Sequence, residues 1–565
     1  MTFGTNEFVF PGFRGGAGST QVRRWLQIRP GVEPLTFESI QRSMPEHWGC
    51  TVPRFLRKFV RVGVLCGLSA TNCSTPGQRV RPQDDRLSRI PRVWDDDVLA
   101  SLEIPLANAA FSPKHVSSSY YERIPVREIY RSYPVYAPGR EPPGYIEWLT
   151  QQEPSIAFDS RTCKTEADWI RAGEIVFDAP ITLERLGSFG RRKDDHLYLR
   201  DPSWYDAVKP PVASDGTIPF FRYAIQEKGK IEIGILACGM CHTRVMPDGS
   251  VIKAAQGNFP FDRAMAHDYR TLQDVENARL VERVLFTTPW IEFGPGATDC
   301  SIDFMASAHE AIPPGVLARH RTTPSLPVQI PDLIGVRDRR YLDRSGLQQH
   351  QSIGDLMRYA ALNQGGDDLA QFGDFIPMAL LFEGVRPAPE MFTRYSDEQL
   401  YALALFVYSV EPPPNPNKFD ELAARGQAIF AQEGCIRCHT PPLYTNNKLT
   451  PASGFTIPDD HREKYAILET CVDTDPQLTL ATRRGTGYYK VPSLKGVWYR
   501  GPFEHNGSVA ALEDWFDPRR LRDDYVPTGW KGPLGTTTRA VRGHPFGLEL
   551  SDDDKRALIA FLRTL

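Results

Sequence analysis

The sequence predicts a mainly α-helical protein built from two tandem domains of one kind, with long irregular loops, a β-hairpin inserted into the first domain and an irregular arm ahead of both. Three observations carry that prediction. A five-residue motif occurs twice, as Cys238-Gly239-Met240-Cys241-His242 and as Cys435-Ile436-Arg437-Cys438-His439. The segments flanking the two motifs repeat as well. Each copy then closes on a stretch with helix-start chemistry and helically spaced apolar residues.

The motif has the form C-x-x-C-H. Two thiols at that spacing can form thioethers to the vinyl groups of a haem, and the adjacent His can ligate the iron from the proximal side. A single copy is also compatible with a redox pair or half of a zinc site. Zinc would want a second Cys or His pair nearby at metal-ligand spacing, and none follows either motif. The expectation is therefore two covalently bound haem c groups in two cytochrome c-type haem domains. Cys238, Cys241, Cys435 and Cys438 attach them, and His242 and His439 ligate the iron.

The chain of 565 residues has room for several domains, and its 48 prolines point to long irregular connections. A net charge of −3 selects no particular partner, and the Lys and Arg residues are dispersed among acids, which excludes a nucleic-acid footprint. Of ten cysteines, the motifs use four. Cys50, Cys66, Cys73, Cys163, Cys300 and Cys471 remain, and Cys163, Cys300 and Cys471 form an odd set that allows at most one disulfide.

In chain order, residues 1–74 read as an upstream extension plus an export signal. Met44 is a plausible second start, followed by basic Arg54, Arg57, Lys58 and Arg61, a short apolar run from Val62 to Ala70, and small residues at Ser69-Ala70. The run is too short to span a bilayer. Cys73 is a lipidation candidate, although Asn72 before it departs from that pattern. Export to the periplasm agrees with covalent haem attachment. Residues 75–164, rich in Pro, Arg and Tyr and without helical period, read as an irregular N-terminal arm.

The first domain is assigned to residues 165–411 and the second to residues 412–565, beginning in the proline-rich linker Glu411-Pro412-Pro413-Pro414-Asn415-Pro416. Arg171-Ala172-Gly173-Glu174-Ile175-Val176-Phe177 parallels Ala424-Arg425-Gly426-Gln427-Ala428-Ile429-Phe430. About sixty residues then intervene before Cys238, where Phe220 to Ile235 alternate around a Lys-Gly turn as a β-hairpin does. Beyond the motifs, Pro331-Asp332-Leu333-Ile334-Gly335-Val336 parallels Pro492-Ser493-Leu494-Lys495-Gly496-Val497, and Asp343-Arg344-Ser345-Gly346 parallels Glu504-His505-Asn506-Gly507. Ser396-Asp397-Glu398 and Ser551-Asp552-Asp553 open the two closing helices with an N-cap serine and first-turn acids.

At these residues the chain resembles the bacterial di-haem cytochrome c peroxidase superfamily, over roughly Glu166 to Leu565. The two motifs, the repeated Pro-x-Leu-x-Gly-Val, the Phe503-Glu504-His505-Asn506-Gly507-Ser508-Val509 segment and Gly543-His544-Pro545-Phe546-Gly547 carry the resemblance. Within the superfamily the chain looks closest to the branch of the di-haem rubber oxygenases. The resemblance implies that one haem moves electrons while the other, open on its distal side, meets peroxide or dioxygen.

No methionine follows Met391, which leaves His461, His505 and His544 as histidine candidates for the far side of the second haem. The family position falls on His544, with Tyr488 or Tyr489 as the tyrosine alternative. The equivalent position for the first haem falls near Pro389 to Met391, which makes Met391 a candidate ligand. Gln256, in Gln256-Gly257-Asn258-Phe259, is a candidate distal donor and Trp290 a candidate bridge for electrons, both placed among the catalytic residues. His267 and His309 are candidate acid-base groups or reserve ligands. The resemblance also implies a calcium ion between domains, a small redox protein as electron donor, and a homodimer, although no stretch marks an interface. The leading expectation is reduction of hydrogen peroxide at the first haem with electrons relayed through the second. An oxygenase acting on an organic substrate and a non-catalytic electron carrier are the alternatives.

Overall fold

A computed structural model describes residues 90–181, 198–290, 301–319 and 321–565. The extension and export signal, Cys73, the first part of the arm and Cys300 lie outside the described residues.

Two helix pairs of one design organise the rest. The Glu166–Asp178 helix starts at Thr165, whose side chain forms a capping box with Asp168, and packs against the Asp397–Ser409 helix, capped by Ser396 with Gln399. The Glu421–Gln432 helix, capped by Asp420, packs in the same way against Asp552–Arg563, where Ser551 accepts from the Asp554 amide and three acids fill the first turn. Each crossing is made close by one glycine. A Cβ at Gly173 would lie inside the Ala402 carbonyl and 2.8 Å from Phe406 Cβ; at Gly426 it would lie inside the Ala557 carbonyl and 2.8 Å from Phe561 Cβ. Four residues on, Phe177 meets Phe406 with ring centroids 5.2 Å apart, and Phe430 meets Phe561 at 5.4 Å. The repeat seen in the sequence is thus a repeat of packing.

The remainder is less helical than expected: the described residues form a mixed α/β structure with many small sheets. Strands Thr217–Glu227 and Lys230–Gly234 form the expected hairpin around Lys228-Gly229. Its other edge is taken by Ser132–Tyr136 of the arm. A second arm strand, Pro113–His115, pairs with Ala370–Phe372. The arm also holds helices Asp96–Leu102, Ser118–Arg123 and Tyr145–Thr150, and its Val93, Trp94, Leu99 and Tyr121 share one core with Val176, Phe177, Leu403 and Phe406. Its order comes from partners roughly 90 to 260 residues away in the chain, which local periodicity does not register.

A polar seam joins the two halves. Gln256 is fully buried. Its amide donates to the Gly315 and Pro502 carbonyls and accepts from the Gly501 amide and Gln329 Nε2, at 3.1–3.3 Å. Arg483, fully buried, crosses to Asp367 at 2.9 Å and to the Val284 and Leu285 carbonyls. Among the described residues no helix is long and apolar enough to cross a membrane, and Cys163 and Cys471 are both free.

Candidate functional site

The first motif forms one short helix, Cys238–His242. His242 Nδ1 lies 3.1 Å from the Pro331 carbonyl. A carbonyl only accepts, so Nδ1 carries the proton and Nε2 is left with its lone pair for a metal. In the second motif His439 Nδ1 donates to the Tyr444 carbonyl at 3.2 Å, and the Pro492 carbonyl acts on the same ring. The prolines that open the repeated Pro-x-Leu-x-Gly-Val segments thus both act on a motif histidine, Pro331 as the hydrogen-bond partner and Pro492 beside the Tyr444 carbonyl. Gly335 and Gly496, at φ +70° and +74°, turn the chain after each proline in a conformation that favours glycine.

Burial pushes the rings of His242 and His439 down to about 4, so both are neutral imidazoles at pH 7, the ligating form. Burial pushes the thiols the other way, Cys238 up to about 12 and Cys241 and Cys435 up to about 11, and raises Cys438 as well. Such thiols stay protonated, which suits addition to a vinyl group better than thiolate ligation of zinc. Among the described residues no group of three or more His, Cys, Asp or Glu side chains is placed to hold a metal ion such as calcium or zinc.

His544 faces His439 with ring centroids 6.3 Å apart. Two imidazoles bound to opposite sides of one metal, each at about 2 Å, put their centroids roughly 6 Å apart. The spacing fits an iron between them. His544 is held there from its backbone: its amide donates to the Val472 carbonyl at 2.7 Å, and its carbonyl accepts from Arg520 Nη2 at 2.8 Å. Its φ is +48°, a conformation histidine adopts more readily than most residues. Trp515 and Phe546 each meet the ring edge-on at 5.2 Å. Burial, the neighbouring His439 and Arg520 hold His544 down to about 3, and its Nδ1 is buried without a partner. The rival candidates are engaged elsewhere: His461 Nδ1 with the Tyr488 hydroxyl at 3.0 Å, His505 with Glu504, and the Tyr489 hydroxyl with the Asp475 carbonyl at 2.7 Å.

The first half differs at the matching place. His544 stands seven residues before the cap Ser551; seven before Ser396 stands Pro389, which is buried and has no ligating atom. Met391, two residues on, is 58 % exposed, a setting for a surface side chain. Gln256, expected over this haem, has both amide hydrogens and both carbonyl lone pairs taken up in the seam. Trp290 stacks on Phe111 at 4.7 Å and lies near Phe372, so it packs against the arm. His309 is clamped between Asp262 Oδ1 at 2.6 Å and Glu282 Oε1 at 2.7 Å, while His267 contacts Asp268 and Thr271.

What stands beside the first motif instead is a small polar chamber, partly open to solvent. It is lined by Tyr121 and Arg127 from the arm and by Gln364, Asp368, Arg394 and Tyr395. Gln364 Nε2 touches Cys238 Sγ at 3.4 Å. Four polar atoms of these residues, Tyr121 Oη, Arg127 Nη1, Gln364 Oε1 and Tyr395 Oη, are buried with no hydrogen-bond partner, a combination that asks for a polar guest. Burial and the neighbouring Asp367 push the Asp368 carboxyl up to about 7. These residues come from three separated segments and none shares a motif, so the sequence offered no signal for them.

No family model matches the chain. The methylamine utilization protein MauG of Methylorubrum extorquens is 30% identical over 144 residues, which cover 25% of this chain and 34% of that protein. The cytochrome-c peroxidase IdrP1 of a Pseudomonas species, strain SCT, is 30% identical over 169 residues, covering 26% and 41%. The MauG protein of Paracoccus denitrificans is 28% identical over 218 residues, covering 33% and 55%. The chain therefore spans about a third to a half of the length of these curated relatives.

Proposed function

We propose that the chain is a member of the di-haem cytochrome c peroxidase superfamily, to which its relatives point, and an exported two-haem c-type oxidoreductase, reducing hydrogen peroxide at the first motif with electrons that enter through the second. One observation carries the reading: His544 faces His439 across the width of a metal, whereas Pro389 holds the matching place in the first half. Haems held by Cys238, Cys241 and His242 and by Cys435, Cys438 and His439 would supply one-electron redox chemistry and activation of peroxide or dioxygen.

The protein's own contribution is division of labour. His439 and His544 would hold a haem iron between them at the second site, which suits electron entry from a small redox protein. At the first site His242, oriented by Pro331, would hold the iron, and among the described residues the place matching His544 is taken by Pro389, which has no ligating atom. Asp368, with its carboxyl near 7, takes a proton from a guest in the chamber and returns it, while Arg127 Nη1 and the Tyr395 hydroxyl orient that guest. An oxygenase acting on an organic substrate is the second reading, favoured by the imidazole pair at the second site.

The test is to reduce the holo-protein, add carbon monoxide, and separately mix the resting protein with stoichiometric peroxide. The reading expects one of two haems to bind carbon monoxide and peroxide to be consumed in the presence of a reduced small cytochrome. Carbon monoxide binding without peroxide turnover favours the oxygenase. Binding at neither haem leaves an electron carrier and sinks both catalytic readings.

A further inference from the structure

A second cavity, small and partly open to solvent, lies between the two proline segments and is lined by both Pro331 and Pro492. The repeat continues into it. Eight residues past Pro331 stands Arg339, and eight past Pro492 stands Arg500; both line this one cavity, together with Arg344 and Lys490.

Negative charge there is scarce. Asp332, 2% exposed by its side chain, lies 3.8 Å from Arg339 and 3.9 Å from Arg500, and it also accepts from the Tyr499 hydroxyl at 3.1 Å. The nearest other acid, Asp343, is engaged by Arg484 at 2.6 Å and by Arg319. The Nε atoms of Arg344 and Arg500 are buried with no hydrogen-bond partner. Burial and the nearby Arg500 and Arg339 hold Arg344 down to about 9, and burial with Arg339 and Arg344 lowers Lys490. Four partly buried cations thus meet Asp332 and the already engaged Asp343, with backbone carbonyls of Asp332, Ile334, Ser493 and Tyr341 taking other donors of Arg339, Arg500 and Lys490, and the surplus of positive charge favours a further anion.

The anion must suit the two-fold character of the cavity. Each arginine stands eight residues past the proline of its own repeat, so the cavity draws one guanidinium from each repeat. Guanidinium forks match carboxylates bidentately. We propose that this cavity is a carboxylate-binding site that receives the propionate groups of both haems, Arg339 serving the haem on His242, Arg500 the haem on His439, and Arg344 and Lys490 shared between them. The assignment rests on the two-haem reading. It makes one set of buried cations common to both redox centres, so a charge removed from the cavity is felt at each; buried positive charge favours the reduced form and raises the midpoint potential.

The experiment is a spectroelectrochemical titration of the holo-protein as wild type and as R339Q, R500Q, K490M, R339K and R500K, with haem counted in each preparation. The expected result is a downward shift of the first haem's midpoint, larger than the second's, in R339Q, the reverse in R500Q, and a downward shift of both in K490M. The two lysine variants should recover most of the shift, which separates lost charge from lost folding. Inorganic phosphate added to the wild type should leave both midpoints unmoved, because the haem carboxylates occupy the site. Wild-type midpoints in all three neutral variants, with two haems bound, would overturn the assignment and leave the two-haem reading intact. So would phosphate binding to the fully loaded wild type, which would make the cavity a site for a free anion. Fewer than two haems in the wild type would instead bring down the reading on which the assignment stands.

Discussion

In the second half of the molecule an imidazole, His544, stands 6.3 Å from the motif histidine, aligned by a left-handed backbone and the Arg520 guanidinium. In the first half the same distance from the helix cap is occupied by Pro389, and a polar chamber with four unpartnered buried atoms lies alongside the motif. The scaffold around the two shares three features: a glycine at the helix crossing, a phenylalanine pair one turn on, and a proline carbonyl acting on the motif histidine. On the proposed reading, the difference at this one position would make the second site a closed electron relay and the first an open one.

The comparison is broken most completely by H544A. It should abolish the low-spin signal of the second haem and let both haems bind carbon monoxide, read in the optical spectrum; an unchanged low-spin signal would assign the ligand elsewhere. Next in size, D368N should slow peroxide consumption by about 100-fold without altering the His439 haem. The wild-type rate should rise through pH 7 as the Asp368 carboxylate forms, and that step should vanish in the variant.

The comparison is then sharpened by stability. His309 belongs to the first half alone: burial disfavours its charged form, yet Glu282 and Asp262 push it up to about 10. Its folded value lies above the ordinary imidazole value near 6.5, so its contribution is whole below pH 6.5 and is lost between pH 6.5 and 10. H309A, which strands two buried carboxylates, should cost about 3–5 kcal/mol and remove that alkaline decline, as measured by chemical denaturation across pH. G173A and G426A should cost about 3 kcal/mol each, since the added methyl meets backbone that cannot move aside. Equal losses at the two sites, seen in thermal melts, would uphold the equivalence of the helix pairs, and a loss at only one would refute it. Smallest, Q256L should loosen the seam by about 1–3 kcal/mol and leave both haem spectra as they are.

Much of this was legible in the sequence. The two motifs, the caps at Ser396 and Ser551, the Lys228-Gly229 turn and the repeated proline segments are local signals whose physics is complete within a few residues. His544 was singled out by the family resemblance, which implies a ligand just ahead of the closing helix, and the structure sets its ring 6.3 Å from that of His439. The order in the arm was not legible, because Ser132–Tyr136 and Pro113–His115 become strands only by pairing with chain far away. Nor was the role of Gln256, whose glycine-rich setting resembles a ligand loop but whose four partners come from three distant segments. Arg339 and Arg500 were readable as a continuation of the repeat, since both stand eight residues past their prolines; only the structure brings them to one cavity.

The most direct measurement of the central claim is the low-temperature EPR spectrum of the ferric holo-protein, wild type beside H544A. The account predicts one high-spin and one low-spin haem in the wild type and two high-spin haems in the variant. Two low-spin haems in the wild type, or a low-spin signal that survives the loss of His544, would contradict it.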